Sequence, residues 1–362
     1  MKVLFDHQMF SQQRYGGISR YFANIYNSIQ NTTDIQASIS VLHSKNYYIK
    51  DFDAILNNWI GNVLLAKKSR SNKWNKQYSK YLIGKNNFDV FHPTYFNPYF
   101  LKRLKKPLVV TVHDMIYEAM PEYFPSNDPL PYHKRLLMDR ADKIIAISEI
   151  TKADILKYSN VNEDKIEVIY HGIDLSTPNH QNVANLPKNY ILFVGDREKY
   201  KNFHLLAEAF KIVSLKYDDL KFVLAGGGPI TYGDSEFLRR HNILDKTIQL
   251  SASDEQLNTL YKNAICFVYP SLYEGFGLPI LEAFKNNCPV LLSNCSCFEE
   301  IAGDAAQYFE GQSLEALVSK LTYIIENEST RKEMINLGDK KLLEYPIEKC
   351  VEQTIELYKT VS

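Results

Sequence analysis

Glu274 and Glu282 stand with seven residues between them in residues 271–284, SLYEGFGLPILEAF, directly after the apolar run 265–269. Gly275 and Gly277 can open a tight turn there. Leu278 onward has helix-forming composition, with Pro279 acceptable in the first turn. The amides of Gly275, Phe276, Gly277 and Leu278 would then point out of a helix N-terminus, where aligned peptide dipoles attract a phosphate or diphosphate. Beside such an anion, the two glutamates serve better as acceptors for sugar and ribose hydroxyls than as anion ligands. A glycine corner carrying two surface glutamates would read the same way, because such corners are common in α/β folds.

A second cluster lies in residues 194–202, VGDREKYKN, again where a strand should meet a helix. Arg197 and Lys201 could neutralise a leaving diphosphate there, the first as a planar fork and the second as a point charge. Two solvated loop cations are the alternative. Earlier in the chain, Gly16 and Gly17 allow close approach of backbone to a ligand. His113 and Asp114 follow the apolar run 108–112, at the end of a strand where α/β sheets bind substrates. A lone histidine is more often a satisfied structural residue.

The elements that would position these groups alternate along the whole chain. Short, apolar, β-branched runs at 2–5, 37–42, 88–91, 108–112, 143–147 and 166–169 read as strands buried on both faces of a parallel sheet. A second series runs through 191–195, 221–227, 247–250, 264–270 and 288–293. This βαβ rhythm predicts two doubly wound domains, residues 1–178 and 179–345, with the polar stretch 174–187 as linker and 346–362 as a terminal helix. Neither the first glycine pair nor Gly226-Gly227-Gly228 spells G-x-G-x-x-G, which counts against a nicotinamide or flavin enzyme.

Composition sets the outer bounds. The chain has 362 residues, with 42 basic and 42 acidic side chains, so global charge names no partner. Five cysteines make a disulfide framework unexpected, and Cys295 and Cys297 lack the further ligands of a zinc site. The opening MKVLFDHQMF has no long apolar core, which predicts no signal peptide and a cytoplasmic protein. Asp51-Phe52-Asp53 reads D-x-D, yet precedes no nucleotide-binding strand and is expected at the surface.

Taken in order, these segments resemble the retaining family-4 glycosyltransferases, also called group 1 glycosyl transferases. The resemblance rests on E-x7-E at Glu274 to Glu282, the glycines at 16–17, the His113-Asp114 pair, VIYHGID at 168–174 and the Arg197/Lys201 pair. Residues 293–306 and the ending YPIEKCVEQTIELY extend it over nearly the whole chain; Glu299-Glu300 departs from the usual Pro-Glu. It implies a GT-B fold, two Rossmann-like domains facing a cleft, with the last helix crossing back to the N-terminal domain. It implies transfer of a sugar from a GDP- or UDP-sugar to a glycan or lipid-linked glycan in bacterial surface polysaccharide assembly, such as lipopolysaccharide O-antigen or capsule. Arg197 and Lys201 would then grip the diphosphate, Glu274 the donor sugar and Glu282 the ribose. His113 would face the transferred sugar, and residues near Asp254-Glu255 the base. No cofactor or metal is expected, because side chains supply the cations. A silent nucleotide-sugar-binding protein and a GT-B epimerase are the alternatives.

Residues 54–88 contain no Asp or Glu, but hold Lys67, Lys68, Arg70, Lys73, Lys76, Lys80 and Lys85, with both tryptophans, Trp59 and Trp74. Basic residues with interleaved aromatics suit an anionic membrane surface, here the inner face of the plasma membrane. No nucleic-acid motif is present.

Overall fold

The computed structural model describes residues 1–30, 34–50, 52 and 54–362, with the backbone alone at Ser296. Asp51 and Asp53 of the D-x-D pair lie outside the described residues. The chain divides into two compact units, Met1–Gly172 with Ile347–Ser362, and Ile173–Pro346.

Unit 1 begins with β1 (Lys2–Phe5), α1 (Gln8–Gln12), α2 (Gly17–Gln30) and β2 (Gln36–Ile39), then α3 (Trp59–Leu64) and α4 (Lys68–Lys85). Four further strands follow: β3 (Val90–His92), β4 (Val109–Val112), β5 (Lys143–Ala146) and β6 (Ile166–Val168). Two three-stranded parallel sheets, β2-β1-β3 and β4-β5-β6, are joined by a parallel bridge between Phe91 and Leu108. α2 buries Tyr21, Phe22, Ile25 and Ile29, the helical spacing of one apolar stripe. α4 is unlike it, for its inward face is Ser71, Asn75, Ser79 and Ile83. Those polar groups take up backbone that leaves the sheet after β2: Asn75 Oδ1 accepts from the Leu42 amide at 2.9 Å, and Ser79 Oγ donates to the Ser40 carbonyl at 3.0 Å. The C-terminal helix Ile347–Val361 belongs to this unit, pinned where the Tyr358 hydroxyl meets His92 Nδ1 at 2.7 Å.

Unit 2 is a single six-stranded parallel sheet of β7 (Tyr190–Val194), β8 (Lys221–Ala225), β9 (Thr247–Leu250), β10 (Cys266–Tyr269), β11 (Val290–Ser293) and β12 (Gln307–Phe309). Its order is β12-β11-β10-β7-β8-β9. β10 and β11 are buried along their whole length, which is why they read as unbroken apolar runs. The edge strand β12 buries only Phe309 fully, too little pattern to read from three residues.

The chain changes unit at Gly172–Ile173, because Ile173 pairs with Pro346 and its amide donates to the Tyr345 carbonyl at 2.9 Å. Residues 174–187 are therefore no free linker. Thr259 Oγ1 donates to the Gln181 carbonyl at 2.7 Å and Asn258 Nδ2 to the Asn179 carbonyl at 2.9 Å, strapping the stretch across the helix Asp254–Asn263. The stretch contributes backbone carbonyls to that strap, which its polar composition does not reveal.

Candidate active site

In unit 2 the strand order reverses between β7 and β10, and sheets of this kind bind ligands beyond the carboxyl ends of the strands at such a switch point. The two loops richest in candidate residues follow those two strands. They are tied together where the Leu272 amide donates to the Tyr200 carbonyl at 2.8 Å. Lys201 closes the first loop in a short 3-10 turn, and Glu274 comes from the second. Lys201 Nζ lies 2.6 Å from Glu274 Oε1, with both side chains largely buried. Burial alone would lower the Lys201 pKa, but Glu274, with Tyr200 and Asp196, outweighs it and raises the value above that of a free lysine. Lys201 is thus held as an ammonium ion, lying over the rings of Tyr200 and Tyr269 at 5.1 and 5.6 Å.

Arg197 is fixed more tightly than a loop cation needs to be. Its Nε donates to Asp234 at 3.1 Å, and its Nη2 reaches the carbonyls of Gly227, Gly228 and Pro229 at 3.3, 3.1 and 2.7 Å. Gly226, Gly227 and Gly228 all have positive φ, and a Cβ on Gly227 would stand 2.5 Å from the Gly195 carbonyl oxygen. The triple glycine therefore lets the loop after β8 turn its carbonyls onto the guanidinium. Burial pushes the Asp234 carboxyl up, but hydrogen bonds from Thr231 and Arg197 outweigh this and its pKa falls. Among the described residues, Arg197 Nη1 is buried with no hydrogen-bond partner. A donor so held and left over is what an arriving anion requires.

The helix Leu278–Lys285 starts after Gly277, whose φ of 98° admits glycine readily; a Cβ there would also crowd Ile280 and Phe298. Pro279 in the first turn removes one N–H without cost. Gly275, Phe276 and Gly277 are buried, and the Phe276 ring packs edge-on to Tyr345 at 5.8 Å. Phe276 thus contributes its backbone, while its side chain anchors the turn. Glu282 lies on this helix, half-buried, and accepts from the Tyr261 hydroxyl at 3.1 Å. Asp254 and Glu255 occupy the first turn of the helix Asp254–Asn263, closed by a capping box of Ser253 and Gln256.

Unit 1 gathers a different set. His113 follows β4 and is buried, its ring stacked on His171 at 5.6 Å and edge-on to Tyr21 at 5.4 Å. Burial, reinforced by Lys134 and opposed by Asp114, lowers its pKa to about 4. The neutral ring leaves Nε2 buried without a partner among the described residues. Asp114 accepts from the Ile116 amide at 3.2 Å, while the buried Lys134 donates to the Asp114 carbonyl at 3.0 Å and to Glu118 at 2.9 Å. Gly16 lies half-buried before α2, its carbonyl accepting from Ser19 Oγ at 3.0 Å, and the exposed Gly17 starts that helix. Residue-by-residue reading missed His171 and Tyr21, whose rings frame His113. His171 stood in view within VIYHGID, but nothing in its spacing tied it to His113.

Of the basic residues, Lys67, Lys68, Arg70 and Lys73 are exposed. Lys76 is not equivalent, for it is half-buried with Nζ 5.5 Å over the Tyr99 ring. α3 exposes Trp59, Ile60, Val63 and Leu64 together. No helix among the described residues is long and apolar enough to cross a membrane.

Two family models match the chain, Glycosyltransferase Family 4 over residues 15–177 and Glycosyl transferases group 1 over residues 177–341. The O-antigen chain mannosyltransferase B of Escherichia coli is 28% identical over 287 residues, 75% of this chain and 74% of its own. The O-antigen chain mannosyltransferase RfbU of Salmonella typhimurium is 29% identical over 200 residues, 55% of each chain. Among solved structures, the sucrose-phosphate synthase of Thermosynechococcus elongatus superposes with a TM-score of 0.75 at 16% identity, covering 99% of this chain and 98% of its own. Anabaena HepE in complex with UDP and glucose gives 0.73 at 15% identity, covering 99% of each chain. With the two models meeting at residue 177 and matching both halves, this chain belongs to the group 1, family-4 glycosyltransferases and has the GT-B fold.

Proposed function

We propose that the chain is a retaining, metal-independent transferase that moves a hexose from a nucleotide diphosphate sugar to a glycan or lipid-linked glycan in surface polysaccharide assembly. The observation that carries this reading is the leftover Nη1 donor of Arg197 at the same switch point as the Lys201–Glu274 pair. When the bond between the anomeric carbon and phosphate breaks, negative charge grows on the diphosphate. Arg197, Lys201 and the N-terminus of the helix Leu278–Lys285 are fixed cations and dipoles suited to that charge. Because they are already ordered, they need no reorganisation during the reaction. Glu274 compensates Lys201 before the donor arrives and accepts a sugar hydroxyl afterwards. Glu282 serves the ribose, and the neutral His113 offers Nε2 to a sugar hydroxyl.

Relatives named as O-antigen mannosyltransferases favour a mannosyl donor, and the fold neighbour crystallised with UDP and glucose makes UDP-glucose the natural comparison. The exposed cations and α3 support residence on an anionic membrane surface. The test is release or transfer of radiolabelled sugar from GDP-mannose and UDP-glucose, each with and without EDTA. Sugar release from at least one donor, unchanged by EDTA, is expected. Failure with a full panel of nucleotide sugars would remove the transferase reading, and loss on chelation with rescue by manganese would remove metal independence.

A further inference from the structure

A second region of unit 1 has a chemistry that the donor site does not use. α3 leaves Trp59 76% and Val63 67% exposed, and the chain then turns inward so that Leu65 is buried. Leu65, Ala66 and Phe10 form the apolar side of a cavity of about 210 Å³. Its other side is cationic, with Arg14, Lys45 and Lys68, and no Asp or Glu among the described lining residues. A neighbouring cavity of about 310 Å³ shares Arg14, Ser44, Lys45 and Asn46 with the first. Beyond that shared wall the lining is Tyr15, Tyr47, the cationic Lys50 and the amides of Asn57 and Asn62.

The wall is built from ordered backbone. The Tyr47 amide donates to the Arg14 carbonyl at 2.9 Å, Asn46 Nδ2 to the Gln13 carbonyl at 2.8 Å, and Ser44 Oγ to the Phe10 carbonyl at 2.6 Å. The rings of Tyr15 and Tyr47 lie 5.1 Å apart at 31°. Among the described residues, Arg14, Lys45 and Lys68 form no ion pair with a carboxylate. Across the surface the order is therefore apolar helix, apolar pocket, shared cations, then aromatic rings with Lys50 and side-chain amides.

We infer that the two cavities bind one amphiphilic ligand, a sugar joined through phosphate to a hydrocarbon chain. The phosphate sits between Arg14 and Lys45, which offer a fork and a point charge to its oxygens. The hydrocarbon runs past Phe10 and Leu65 toward α3. The sugar lies at the edges of Tyr15 and Tyr47, whose ring faces carry Arg14 at 5.5 Å and Lys50 at 5.0 Å, with the amides of Asn57 and Asn62 bonding its hydroxyls. A soluble anion would have no use for the apolar side, and a bilayer headgroup would have none for the tyrosine and amide side. As an acceptor site this deepens the proposed transferase reading and rests on it; as a binding site it stands by itself.

Calorimetric titration of the full chain with glucosyl phosphoryl farnesol, farnesyl phosphate, farnesol, short-chain phosphatidylglycerol and inorganic phosphate tests it. The sugar-bearing lipid should bind tightest, with farnesol and inorganic phosphate each at least about tenfold weaker than farnesyl phosphate, one lost contact of about 1.4 kcal/mol. Arg14→Gln with Lys45→Gln should weaken both phosphate-bearing farnesyl probes by a similar factor and leave farnesol alone. Tyr15→Ala should weaken only the sugar-bearing one. Lys45→Arg should retain binding, which separates lost charge from lost fold. Equal affinity for phosphatidylglycerol and the sugar-bearing lipid, equal affinity for inorganic and farnesyl phosphate, or indifference to the double substitution would each overturn the inference. Donor hydrolysis by the wild type decides the transferase reading separately: hydrolysis without lipid preference sinks only the acceptor site, and preference without hydrolysis sinks only the transferase.

Discussion

Lys201 and Glu274 meet at 2.6 Å although 73 residues separate them in sequence, because β7 and β10 are neighbours in the sheet and their loops are tied at Leu272 and Tyr200. Each side chain is only 13–14% exposed, so each charge depends on the other. Removing one partner of such a pair leaves an uncompensated charge, which costs more than the pair contributes.

Lys201→Ala should therefore lower turnover by about a hundredfold or more, the cost of one transition-state charge contact, and lower the unfolding midpoint too. The Lys201→Ala, Glu274→Ala double variant should recover part of the stability lost by Lys201→Ala but none of the turnover. Parallel thermal scans and single-turnover assays of the three variants separate the two effects. Near wild-type turnover in Lys201→Ala would take the residue out of the mechanism.

Arg197→Lys tests geometry with charge held constant. A lysine cannot supply Nε to Asp234, Nη2 to three carbonyls and a spare Nη1 at once. Breaking a buried pair costs about 3–5 kcal/mol, and a domain of this size loses roughly 2–4 °C per kcal/mol. A midpoint fall of several degrees is expected, together with a loss of affinity for UDP or GDP. Retention of both would show that a point charge suffices.

Most of this geometry was legible, and the gaps have identifiable causes. Strands such as β10 and β11 are buried throughout and announce themselves, and Glu274 and Glu282 flank a turn and helix start at Gly277 that demands glycine. Arg197 and Lys201 read as a fork and a point charge in one loop, but one is locked by the Gly226–Gly228 loop and the other by Glu274. Those partners lie 30 and 73 residues away, beyond any local pattern. Residues 174–187 misled because the stretch is held by its backbone carbonyls, at Asn179 and Gln181, and no side-chain pattern announces such bonds. α4 was hidden for a related reason: its inward Ser71, Asn75 and Ser79 are polar, so no apolar stripe marks it.

His113 sets a pH signature. Its pKa is lowered to about 4 by burial, as those of His7 and His92 are lowered by burial to about 4 and about 3. Between the ordinary histidine value of about 6.5 and those values, the unfolded chain binds protons that the folded chain excludes. Stability is therefore full above that window and is lost as pH falls through it, by about 3–5 kcal/mol per histidine. Urea midpoints measured across that range should fall, and His113→Asn should fall less steeply. Since His113 is neutral at pH 7, the kcat/KM profile should show no ionisation from it near neutrality. An inflection near pH 6.5 that disappears in His113→Asn would contradict the buried neutral ring.

The surface of α3 and α4 makes the last prediction, that unit 1 binds anionic bilayers by two separable contributions. One is apolar: Trp59, Val63 and Ile55 are 76%, 67% and 62% exposed on neighbouring turns of chain, with Ile60 and Leu64 beside them. The other is cationic: Lys67, Lys68, Arg70 and Lys73 are exposed in a stretch, residues 54–88, without an acid. Each cation near an anionic surface is worth about 1 kcal/mol, and exposed charges are screened beyond about 8 Å at physiological ionic strength. High salt should therefore remove the cationic part and leave the apolar part, which does not depend on charge. Replacing Lys67, Lys68 and Lys73 by Glu should abolish the salt-sensitive part of liposome co-sedimentation. Trp59→Ser with Val63→Ser should abolish the part that survives high salt. Lys76 is left in place, because its ammonium packs on the Tyr99 ring and its loss would disturb the fold under test. Since all five substituted positions are exposed, unfolding midpoints should stay near that of the wild type. Equal sedimentation of all three proteins, with and without anionic lipid, would mean that this face is merely solvated.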